Sequence, residues 1–90
     1  MDADFRRTLH FRLKDSHDFP ATYTFKFIVK SDKEKLDFLR GLFDKSAEIT
    51  FKESSKSSYT SITIRVEMES AEAVIQKYEA AASVEGIISL

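Results

Sequence analysis

Between residues 22 and 30, apolar and polar positions alternate without a break. Tyr23, Phe25, Phe27 and Val29 fall on one face, and Thr24, Lys26, Ile28 and Lys30 on the other. β-branched and aromatic residues fill the run, which predicts a strand. The same period of two returns at 47–53, where Ile49 and Phe51 oppose Thr50 and Lys52, and at 59–68. In that last run Ile62, Ile64, Val66 and Met68 share a face against Ser61, Thr63, Arg65 and Glu67. The polar stretch 54–58 (Ser-Ser-Lys-Ser-Ser) joins the two runs and predicts an antiparallel hairpin.

Two other segments carry helical spacing. Ser31 followed by Glu34 reads as a capping box opening a helix at 32–45, with Leu36, Leu39, Leu42 and Phe43 on its inner side. Gly41 inside that helix suggests a close approach to the sheet, at about 1 kcal/mol relative to alanine. Ser70 caps a second helix, with Glu72 near its positive end and Ala71, Val74, Ile75, Tyr78, Ala81 and Ala82 as its apolar stripe. Gly86 ends it, and Ile87 to Leu90 reads as a short apolar strand. Ahead of all this, residues 1–18 form a charged arm with four acids (Asp2, Asp4, Asp15, Asp18) and four bases (Arg6, Arg7, Arg12, Lys14). Its Phe5, Leu9 and Leu13 recur every four residues, so a short helix lying on the domain is expected; Leu9, Phe11 and Leu13 also fit strand alternation. Phe19-Pro20 closes the arm, because proline disfavours helical geometry in the residue before it.

The order is therefore β-α-β-β-α-β after the arm. Right-handed crossovers put both helices on one side of a four-stranded antiparallel sheet of order 4-1-3-2. This is an α+β ferredoxin-like plait, shared by amino-acid-sensing ACT domains and RNA-recognition motifs. Residues 1–18 are the arm and 19–90 one domain.

Ninety residues suit one domain, and 42% apolar with 32% charged residues and three Gly plus Pro is a globular profile. Fourteen Lys and Arg against fifteen Asp and Glu leave a formal charge of −1, without the basic surplus nucleic acid requires. No cysteine is present, so disulfides and thiolate chemistry are excluded. No apolar run reaches the length of a membrane span and no signal-peptide core opens the chain, so a soluble cytoplasmic protein is expected.

Candidate chemistry concentrates on the polar face of the sheet. With the aromatic face of the first strand under the helices, Lys26 and Arg65 look outward on adjacent strands, flanked by Thr24, Thr63 and Tyr59, with Lys52 joining from the edge. Such a face suits a small anionic ligand, since arginine presents a two-pronged donor and lysine a compact charge. Set against this is a solvated face on which Glu67 neutralises Arg65. Ile28 on the same face points to partial cover by the arm, a second chain or a partner. Lys56 in the 54–58 loop extends the cationic set, against the plain reading of a hairpin connection. The same residues serve an alternative, nucleic-acid-binding plait, but the third strand lacks the aromatic pair that stacks bases. His10 and His17, with Asp15 and Asp18, do not make a metal site, and no nucleophile–base arrangement or phosphate loop can be assembled. No cofactor and no catalysis are expected. Tyr78 reads as a core aromatic whose hydroxyl reaches a polar neighbour.

The stretch Phe19-Pro20-Ala21-Thr22-Tyr23-Thr24-Phe25-Lys26-Phe27-Ile28-Val29 resembles the YbeD-like family of short bacterial proteins. The resemblance continues through Ser54-Ser55-Lys56, Tyr59 to Thr63, Tyr78 and Glu85-Gly86-Ile87-Ile88-Ser89-Leu90, covering about residues 17–90. Ser57 departs from it, standing where glycine is expected. The resemblance implies an ACT-like plait in the bacterial cytoplasm. It fits a small regulatory or binding module, acting at a sheet face, a free strand edge at 47–53 or a homodimer seam.

Overall fold

The alternating runs pair as antiparallel strands, and their apolar faces set the core. A computed structural model describes residues 3–56 and 58–90; the arm's Asp2 and the Ser57 turn position lie outside the described residues. Along the chain come α1 (Ala3–Ser16), β1 (Ala21–Lys30), α2 (Lys33–Gly41), β2 (Glu48–Glu53), β3 (Tyr59–Met68), α3 (Ala71–Ala81) and β4 (Ile88–Ser89). The sheet order β2-β3-β1-β4 is the expected order read from the other edge, and every neighbouring pair is antiparallel.

Register explains the core. Phe25 lies opposite Ile64 and Phe27 opposite Ile62, and opposed residues share a sheet face. All four are fully buried, together with Val29, with Leu39 of α2 and with Val74 and Ile75 of α3. Each such side chain contributes roughly 1.5–3 kcal/mol through burial. The arm is helical, and Leu13, its one buried residue, joins the same core. The cis Phe19–Pro20 bond carries the chain from α1 into β1.

Four local expectations are corrected. Asp32, not Ser31, caps α2: its carboxylate accepts from the amides of Glu34 (2.9 Å) and Lys35 (3.4 Å). The Ser31 hydroxyl instead meets that of buried Thr60 at 2.8 Å. Helix α2 stops at Gly41 rather than near Lys45. Asp44 then forms a side-chain turn, accepting from the Ser46 amide at 2.8 Å, an arrangement that competes with helix. A Cβ on Gly41 would meet nothing within 4 Å, so close packing does not explain this glycine. Finally, β4 is only two residues long, extended by the Leu90 amide donating to the Lys26 carbonyl at 2.9 Å. Among the described residues, strand β1 is therefore flanked on both sides only near its C-terminal end.

Candidate functional site

The face of the sheet opposite the helices is a grid fixed by register. Thr24 lies opposite Arg65, Lys26 opposite Thr63, Ile28 opposite Ser61 and Lys30 opposite Tyr59. On the other flank of β3, Glu48 lies opposite Arg65, Thr50 opposite Thr63 and Lys52 opposite Ser61. Ile88 of β4 completes the row of Ile28. Directly opposed side chains stand about 4.5–5.5 Å apart at Cβ and diagonal ones about 7–8 Å.

Three of the five expected site residues converge on this grid. Lys26, Lys52 and Tyr59 border a shallow depression of about 420 Å³ that also takes in the hydroxyls of Thr50, Ser61 and Thr63 and, at its rim, the carboxylate of Glu53, which opposes an anion there. Ile28 also lines it and is half-buried, and none of the arm's described residues reaches this depression. Both lysines are exposed, and Tyr59 is 45% exposed. The depression can hold a carboxylate or phosphate between two ammonium groups, with hydroxyl donors beside it and an apolar wall at Ile28.

Arg65 and Lys56 are exposed but stand outside the depression. Arg65 is a diagonal neighbour of Lys26, and the acid directly across from it is Glu48 rather than Glu67. Glu67 stands two residues along the same strand as Arg65, as the alternation itself shows, whereas the pairing with Glu48 is set by register. Lys56 lies in the hairpin turn, away from the sheet floor. The rings offered for stacking are turned inward, with Phe25 and Phe27 fully buried and Tyr23 half-buried. His10 and His17 are half-buried. The His17 ring lies 5.5 Å from those of Phe19 and Tyr23 and its Nδ1 is 3.3 Å from the Leu13 carbonyl. Among the described residues, no group of three or more His, Cys, Asp or Glu stands ready for a metal ion.

Sequence reasoning missed a second depression, of about 480 Å³, on the helix side. Tyr23 and Tyr78 line it together with Phe5 and Leu9 of α1, Ala82, Ser89 and Leu90. The two tyrosine hydroxyls are 2.8 Å apart, so the polar neighbour expected for Tyr78 is Tyr23. Burial first, and then this hydrogen bond, push the Tyr78 hydroxyl far above its ordinary pKa, keeping it a neutral donor.

A family model described as a protein of unknown function, DUF493, matches residues 14–89. The chain belongs to the DUF493 family. The YbeD-like resemblance and DUF493 are one family. Comparison with curated proteins and with solved structures gives no match. The DUF493 match begins in the last turn of α1, so it takes in the whole sheet and both covering helices, while Phe5 and Leu9 precede it. No helix among the described residues is long and apolar enough to cross a membrane.

Proposed function

We propose that this protein is a small non-catalytic binding or regulatory module of ACT-like form, working in the bacterial cytoplasm. Its open sheet face takes an anionic group presented by a small ligand or a protein partner. The observation that carries this reading is the convergence of Lys26, Lys52 and Tyr59 on one hydroxyl-lined depression. No ion pair among the described residues ties up Lys26 or Lys52. Arg65 adds long-range positive potential from the next row, offset by Glu48 across from it. Ile28 and Ile88 give the same face an apolar edge, suited to the non-ionic part of a ligand or to a second copy.

Thermal denaturation against citrate, glutamate and inorganic phosphate tests the proposal, because a ligand specific for the folded state raises the midpoint with its concentration. A rise that Lys26→Glu with Lys52→Glu abolishes, and that Arg65→Glu weakens less, is the expected result. No rise with any of the three anions, or a rise indifferent to both lysines, overturns the small-ligand form. Salt-sensitive binding of single-stranded RNA at low ionic strength, lost in the same double variant, would replace it with the nucleic-acid reading.

A further inference from the structure

Strand β2 is an outer strand of the sheet, paired with β3 on one side, and among the described residues no strand lies on its other side. A hydrogen bond fixes which of its backbone groups face outward. One step beyond the Glu53–Thr60 pair, the Ser54 amide donates to the Tyr59 carbonyl at 2.8 Å. Successive residues of a strand turn their N–H and C=O groups to opposite sides. Thr50 and Lys52 therefore face β3 as Ser54 does, and the N–H and C=O groups of Ile49 and Phe51 face outward. The Ser31 amide, donating to the Ser58 carbonyl at 3.0 Å in continuation of the β1–β3 register, gives the same alternation along β3. An outward row of this kind is a template for another strand, and charged side chains ordinarily guard it.

The side chains decide which strand fits. Ile49 and Phe51 lie opposite the fully buried Ile64 and Ile62, so they are on the helix side, and both are only half-buried. Glu48, Thr50 and Lys52 are exposed on the open face. When β2 pairs antiparallel with β2 of a second copy, outward backbone must meet outward backbone and opposed residues share a face. Registers centred on Ile49, Thr50 or Phe51 satisfy both conditions. The one centred on Thr50 sets Glu48 against Lys52 and Ile49 against Phe51, on both sides of the axis, with Thr50 against itself. Centring on Phe51 instead sets Ile49 against Glu53 and Lys52 against Thr50, and centring on Ile49 sets Glu48 against Thr50 and Lys52 against Ser46. Only the Thr50 register pairs opposite charges and apolar residues throughout, so the charges that guard this edge against other strands fit its own.

We infer that β2 is the seam of a homodimer, in which two sheets join into one across a twofold axis at Thr50. Main-chain hydrogen bonds run between Ile49 and Phe51 on each side of the axis, and their side chains make the helix side of the seam apolar. On the open face, Glu48 stands between Arg65 of its own chain and Lys52 of the second copy. Each such row keeps one positive charge in excess, so the face still suits an anion. The seam does not depend on anion binding at the open-face depression, although Lys52 belongs to both.

The test uses the full chain. Sedimentation velocity over a wide range of concentration should show a monomer–dimer equilibrium. Lys52→Glu, which sets glutamate against glutamate, and Glu48→Lys, which sets lysine against lysine, should each weaken the dimer at least tenfold. Both positions are exposed, so the fold tolerates the change. The double exchange, Glu48→Lys with Lys52→Glu, should restore the dimer, because each new charge again meets its opposite. Thr50 meets itself in a non-hydrogen-bonded pair, with Cα atoms about 4.5 Å apart, within the range of a disulfide. The chain has no cysteine of its own, so Thr50→Cys should give a covalent dimer on mild oxidation and Lys52→Cys should not. On dilution the amides of Ile49 and Phe51 should exchange faster, while those of Thr50 and Lys52, bonded to β3, keep their protection. Lys26→Glu should leave the dimer unchanged. The inference is overturned if the chain stays monomeric at the highest concentration reached, if the double exchange fails to rescue, or if Lys52→Cys cross-links as readily as Thr50→Cys.

Discussion

Replacing the hydroxyls of Tyr23 and Tyr78, singly and together, tests whether their contact works as a unit. The two oxygens are 2.8 Å apart, and phenylalanine keeps each ring. Tyr78 packs 5.2 Å from Phe25 and 5.9 Å from Phe27, and Tyr23 4.8 Å from Phe25. Only the hydrogen bond is therefore lost. A bond of this kind contributes about 0.5–1.5 kcal/mol, and each single variant strands the other hydroxyl in a half-buried site. Tyr23→Phe and Tyr78→Phe should each cost about 1 kcal/mol, while the double variant should cost clearly less than their sum. In a chain of this size, 1 kcal/mol lowers the thermal midpoint by roughly 4–8 °C. Urea unfolding with an unchanged slope gives the cycle directly. The folded-state pKa of Tyr78 is raised by burial and by its hydrogen bond with Tyr23, so its stabilisation is full below the ordinary value of 10 and falls as pH rises above it. That alkaline loss should be shallower in Tyr78→Phe. Additive single costs, or an alkaline limb identical in the variant, would refute the coupling.

Glycine substitutions should separate the two glycines. Gly86 has φ +75, so Gly86→Ala should destabilise by about 1–2 kcal/mol in urea unfolding. Gly41 has no positive φ and open space around it, so Gly41→Ala should be neutral or stabilise by up to about 1 kcal/mol. At acid pH, Lys33 beside Asp37 and the Ser46 donors on Asp44 hold both carboxyls below their ordinary value of 3.8. Their contribution is present above that value and lost as pH falls through the lowered one. Asp37→Asn with Asp44→Asn should make the acid limb of stability against pH, followed by circular dichroism, measurably shallower.

The strands were legible because the period of two in 22–30 and 59–68 survives intact, and a face bearing Phe25 and Phe27 has only one low-energy place to go. Register was not legible, and with it went the partner of Arg65. A strand sequence says which face Arg65 shares with Glu67, its neighbour along the same strand, but not that Glu48 stands across from it. The capping error has a local cause. Ser31 and Asp32 are both good caps, and Thr60, distant in sequence, took up the serine hydroxyl. The end of β4 was likewise invisible, since three of the four residues from Ile87 to Leu90 are apolar while only Phe27 and Ile28 pair with the strand. The Tyr23–Tyr78 groove needed tertiary structure altogether, because its walls come from residues 5, 9, 78, 82 and 90.

Helix α1 is held by two unlike contacts, and they should separate under one substitution. Near its C-terminal end Leu13 is 4% exposed and belongs to the core, so that end is fixed by apolar burial. Further towards its N-terminal end, Arg6 pairs with Glu72 and, at 3.3 Å, with Glu79, both on α3. These are solvent-accessible ion pairs, weak singly and screened by salt. Arg6→Glu replaces attraction by repulsion from two carboxylates without touching Leu13. Amides of residues 7–11 should then exchange several-fold faster, more so at low salt, while those of β1 and β3 keep their protection. Anion binding at Lys26 and Lys52 should not change, since that depression lies on the other side of the sheet. Unchanged exchange at 7–11 would mean that burial of Leu9 and Leu13 alone seats the helix. Uniform loss of protection would mean that α1 and the core unfold as one unit, and the groove could then not be opened without the fold.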